Sequence, residues 1–100
     1  MLKISILDTP RQRRLVLEGK LITPWTAELT SASEKAAADL DGRELVIDMQ
    51  NLTAISEDGE NVLLALMNEG VRFRSSGVFT KHVMKKIARR SRKNMQEPKR

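Results

Sequence analysis

The stretch ELVIDMQNLTAISEDGENVLLALMNEG, residues 44–70, joins an apolar block to a cluster of acids and hydroxyls, and then to a second apolar run that stops at a glycine. Leu45, Val46, Ile47 and Met49 are nearly continuous rather than alternating, the pattern of a strand covered on both faces and hence central in its sheet. Ser56 stands where a helix cap belongs, six apolar residues run from Val62 to Met67, and Gly70 supplies a helix stop. A strand followed at once by a helix is half of a βαβ unit, and this decides the fold class.

Working outward, Val71 to Arg74 alternates as a strand with one covered face, and Ser75-Ser76-Gly77 reads as a turn. Phe79, Val83 and Ile87 then recur every fourth residue on a last helix whose other faces carry Lys81, Lys85 and Lys86. Upstream, Thr23-Pro24 reads as a helix start, with the threonine as cap and the proline at the first helical position. Trp25, Leu29, Ala32, Ala36 and Leu40 follow at helical spacing as far as Asp41-Gly42, with Trp25 as a core anchor. Residues 14–21 form a strand in which Gly19 marks a bulge or a close backbone approach. Residues 3–8 form a shorter strand that Pro10 ends. The expected order is β-β-α-β-α-β-α: one small α/β domain with a mixed four-stranded sheet and three helices.

One hundred residues allow one domain with one modest core. The absence of cysteine excludes a disulfide framework and thiolate chemistry, and a cytoplasmic location is the default. The opening residues are too short an apolar run for a signal peptide, and no run approaches the length of a membrane span. The formal charge of +5 is unevenly placed: residues 81–100 hold nine Lys or Arg against Glu97 alone, a local +8, which leaves −3 on residues 1–80. The domain is expected over residues 1–90, with 91–100 as a basic, disordered tail.

Residues 17–21 (LEGKL), 46–49 (VIDM) and 52–59 (LTAISEDG), the last followed by an apolar helix, resemble the STAS domain of bacterial anti-sigma factor antagonists, stressosome proteins and sulfate-transporter tails. The resemblance covers residues 3–90 and rests on element order and matched spacing together. It implies a non-catalytic, protein-binding regulator of transcription whose partner is an anti-sigma factor with a kinase-like ATPase domain, or else a subunit of a transporter or a stressosome-like assembly. In antagonists of this family the second helix opens Asp-Ser-Ser-Gly, and the second serine is phosphorylated. With the glycine set at Gly59 and Asp48 matching the aspartate of the central strand, the phosphoacceptor position falls on Asp58, which has no hydroxyl. Asp58 either mimics the phosphorylated state in part or marks loss of the switch. Partner contact is expected through Ser56, Glu57, Asp58, Gly59, Asn61 and Leu64. Many relatives add a strand and a helix after the element that begins here near Phe79. Either the last helix replaces them, or a sheet edge stays open to a partner or to a second copy.

Simpler accounts compete with each of these assignments. Ser56 with Glu57, Asp58 and Glu60 is also ordinary helix-start chemistry, a cap with acids against the positive end of the macrodipole. Leu64 is explained as well by burial as by partner contact. His82 has neither cysteine nor a second histidine to share a metal and reads as a helix-surface residue. Lys85, Lys86, Arg89, Arg90, Arg92 and Lys93 are a candidate anion-binding run, for an acidic surface or nucleic acid. Nucleic acid is disfavoured because Trp25, Phe73 and Phe79 are the only aromatics and none interleaves with the run. No catalytic pairing, phosphate loop or cofactor motif is present, so no enzymatic activity and no cofactor are expected.

Overall fold

In the computed structural model the described residues are 1–96, with side chains described as far as Arg92. The elements are β1 (Leu2–Asp8), β2 (Gln12–Leu21), α1 (Thr26–Ala37), β3 (Glu44–Ile55), α2 (Glu57–Asn68), β4 (Arg72–Arg74) and α3 (Val78–Gln96). This is the expected order. The sheet runs β1-β2-β3-β4, antiparallel between β1 and β2 and parallel thereafter. The two parallel crossovers turn in one sense, and right-handedness puts α1 and α2 on the same face.

The hairpin is made by its turn. Thr9 Oγ1 accepts from the amides of Arg11 and Gln12 at 3.3 and 3.0 Å, so the chain reverses where Pro10 stops the ladder. Gly19 lies at φ 100°, between two register shifts in the β2–β3 pairing, and a Cβ there would sit 2.5 Å from the Met1 carbonyl oxygen. The bulge and the close approach expected of this glycine are both present.

One core serves all three helices. Leu15 and Leu17 of β2, Ile47 and Met49 of β3, Leu29 of α1 and Leu63 of α2 are fully enclosed, and Val83 and Ile87 of α3 join them. Among the described residues the opposite face of the sheet carries no helix, which corrects the expectation that layers cover β3 on both sides. Val46 and Asp48 are nevertheless buried on that face. Their cross-strand neighbours are Arg14, Val16, Arg72 and Arg74, whose long side chains do the covering.

Arg13 ties the hairpin to α1. Its guanidinium donates to Asp8 at 2.8 Å, to Asp39 at 2.5 Å and to the Ala36 carbonyl oxygen at 3.1 Å, capping an orphan acceptor near the helix end. The hydrogen bond from Arg13 holds the Asp8 carboxyl below its ordinary value of 3.8, and the same pairing raises Arg13.

Three boundaries differ from the sequence expectations. Helix α1 begins at Thr26 behind Trp25, with no side-chain cap. The Thr23–Pro24 bond is cis and lies outside the helix, so Thr23 caps nothing there. Helix α1 also ends at Ala37, before the left-handed Asp41 and Gly42 that make the turn. Helix α3 continues to Gln96, past the fraying expected from Arg89, where the apolar stripe ends; its buried side includes the polar Thr80 in the first turn and Ser91 beyond Ile87. Thr80 Oγ1 donates to the Ser76 carbonyl oxygen, and Ser91 Oγ donates to Asn68 Oδ1 at 2.7 Å. A stripe closed by hydrogen-bonded hydroxyls is invisible to an apolar count. Phe79, expected inside, is 43% exposed. Of the expected disordered tail, residues 97–100 lie outside the described residues.

Candidate site at the start of the second helix

Ser56 leaves β3 in extended conformation and caps α2, its Oγ accepting from the Gly59 amide at 3.1 Å. Its own amide donates to the Leu21 carbonyl oxygen at 3.0 Å, fastening the helix start to the end of β2. Gly59 packs on the same carbonyl: a Cβ there would stand 2.4 Å from the Leu21 oxygen and 3.0 Å from Ile55 Cγ2. No larger residue fits without moving backbone.

The acids of the first turn do different things. Glu57 and Asp58 face solvent, while Glu60 is partly enclosed. Asp58 Oδ2 accepts from Thr23 Oγ1 at 2.5 Å, which holds the loop between β2 and α1 against the first turn of α2. Thr23 and Pro24 are exposed and continue the surface of Asp58. Glu60 pairs with Lys86 at 3.3 Å and with Arg90 at 3.8 Å, and Asn61 Oδ1 accepts from Arg90 Nη2 at 3.0 Å.

The six expected partner residues thus divide. Glu57, Asp58 and Asn61 present exposed side chains on one shoulder of α2; Ser56 and Gly59 shape the backbone beneath them. Leu64 is 8% exposed and belongs to the core, which corrects its assignment as an exposed contact residue: it shares its side of α2 with Glu60, Asn61 and Asn68, and that side is covered by α3. Of the basic run, Lys86 and Arg90 are engaged with α2, whereas Lys85, Arg89 and Arg92 are exposed on α3; the side chain of Lys93 lies outside the described residues. Thr23 was missed as a site residue. Its partner is 35 positions away, and no local pattern signals the pair.

A groove lies elsewhere. About 470 Å³ opens between the C-terminal ends of α1 and α2, floored by Leu40, Leu45 and Leu66 and edged by Glu34 and Glu69. On the helix-free face, Asp48 accepts from the Gln50 amide at 3.1 Å and has Arg14 and Arg74 at 4.0 and 3.9 Å. The Arg14 Nε beside it is buried and has no hydrogen-bond partner among the described residues. No group of three or more His, Cys, Asp and Glu among the described residues is placed to hold a metal ion, and no described helix is long and apolar enough to cross a membrane.

Two solved structures carry the same architecture. One is an uncharacterized DUF3478-family protein with a SpoIIAA-like fold from Shewanella loihica PV-4, 19% identical with a TM-score of 0.54, the match covering 79% of this chain and 71% of that one. The other is the crystal structure of Mglu, 15% identical with a TM-score of 0.57, covering 74% of this chain but only 19% of Mglu, so the present chain corresponds to a small part of that protein. No family model matches the sequence. No curated protein matches it either. The chain has the SpoIIAA-like fold, the fold of STAS domains.

Proposed function

We propose that this domain is a non-catalytic regulatory module that binds another protein through the first turn of α2 and the adjoining Thr23-Pro24 loop, in the manner of an anti-sigma factor antagonist of the bacterial cytoplasm. The observation that carries this is the position of Asp58: an exposed carboxylate, held by Thr23, on a helix start whose backbone is set by Gly59. The resemblance aligns that position with a phosphoacceptor serine. A carboxylate there carries one negative charge, against about −1.5 to −2 for a phosphoserine, so the surface has a permanent fraction of the charge that phosphorylation brings. Negative charge at this point sets which partner surface can approach, and the fixed backbone beneath it keeps the charge in place.

The test is capture from lysate of the source organism, comparing the intact chain with Asp58→Ser and Asp58→Lys at low and moderate salt. A protein with a kinase-like ATPase domain that is retained at moderate salt, lost with Asp58→Lys, and able to phosphorylate Asp58→Ser is the expected result. Capture indifferent to both substitutions, with no phosphate on Asp58→Ser, would falsify the assignment of this surface.

A further inference from the structure

Helix α3 has a second, unused face. Its inner side, with Thr80, Val83, Ile87 and Ser91, is buried, and its flank toward α2 places Lys86 and Arg90 on Glu60 and Asn61. At 100° per residue the opposite side gathers Val78, Lys81, Lys85, Arg89 and Arg92 into one stripe about 20 Å long. All five are exposed, and none of the four cations forms an ion pair among the described residues. At the N-terminal end of the stripe Val78 is 89% exposed, whereas Phe79, 43% exposed, lies on the flank of Lys86.

We infer that this face docks on an anionic lipid surface. The apolar side of α3 is already used in the core, so the attraction comes from the polybasic stripe meeting acidic headgroups, with Val78 entering the headgroup boundary at its end. Exposed Val78 favours lipid over nucleic acid, since a phosphate backbone gives it no apolar environment and no aromatic stands between the cations to stack a base. Charge separation along the chain points the same way. Residues 1–80 sum to −3, so the cationic excess of the chain lies in the segment that holds α3. This inference does not rest on the assignment of Asp58.

The experiment is vesicle flotation of the full chain, with phosphatidylcholine alone and with a third of the lipid replaced by phosphatidylserine, at low and at physiological salt. Binding is expected only with phosphatidylserine and weakens as salt rises. Each cation near such a leaflet strengthens partition roughly fivefold, so Lys81→Gln, Lys85→Gln and Arg89→Gln together weaken it about 100-fold or more. Val78→Ser weakens it without altering charge, whereas exchange of Lys81 and Lys85 for arginine preserves it. Asp58→Ser leaves it unchanged, which separates this result from the fate of the α2 surface. Circular dichroism checks that each variant is folded. No partition onto phosphatidylserine vesicles, or undiminished partition by the folded triple variant, overturns the inference. Preference for a short DNA duplex, with Val78→Ser neutral, assigns the stripe to nucleic acid and overturns it equally.

Discussion

At the scale of single residues, Gly59 carries the geometry of the candidate site. As a residue type it only marks a register, because the sequence contains nothing that says what lies above it. The structure shows the Leu21 carbonyl oxygen where a Cβ would be. Gly59→Ala is therefore expected to destabilise the domain by about 1–3 kcal/mol, the range for overpacking, and urea unfolding checks it. Asp8 offers a second residue-level test. Its pKa is lowered by Arg13, so its contribution is fully present above the unfolded value near 3.8 and is lost as pH falls through the lower folded value. Melting temperatures measured downward from pH 5 should fall less steeply below about pH 4 in Asp8→Asn than in the parent.

The element that departs most from its sequence pattern is α3. The apolar stripe stops near Arg89, yet Arg90 and Ser91 bond to Asn61 and Asn68 of α2, and the helix runs to Gln96. A chain ended after Ala88 loses both contacts. It should melt below the full chain, and Ser91→Ala alone should cost about 1 kcal/mol in the same measurement. Removal of this segment is for that reason a poor probe of its charge, and substitution on the exposed stripe is the cleaner one. Helix α1 shows the converse error. Thr23-Pro24 has the composition of a helix start, but the threonine hydroxyl is taken by Asp58 and the helix opens later without a side-chain cap.

Over the whole molecule, stability resides in the single core beneath the helices rather than in the surface pairs. Ile47 is fully enclosed at the middle of that core, so Ile47→Ala should cost about 2–5 kcal/mol. Arg72 pairs with Glu44 at 3.1 Å in the open, and Arg72→Ala should cost less than about 1 kcal/mol. Denaturant titration of the two variants makes the comparison directly.

The order of elements, the mixed sheet, the central place of β3, the cap at Ser56 and the polarity between an acidic body and a basic end could all be read from the chain. Each is a local property, set by periodicity, turn chemistry and charge along a few successive residues. Three features were decided only by tertiary structure: the clasp of Thr23 on Asp58, the burial of Leu64, and the division of the basic run into cations held by α2 and cations left on an open stripe. All three depend on which surfaces the crossovers bring together. A right-handed path places α1 and α2 on one face of the sheet, α3 packs beside α2, and the sense of a side chain is then fixed by neighbours remote in sequence.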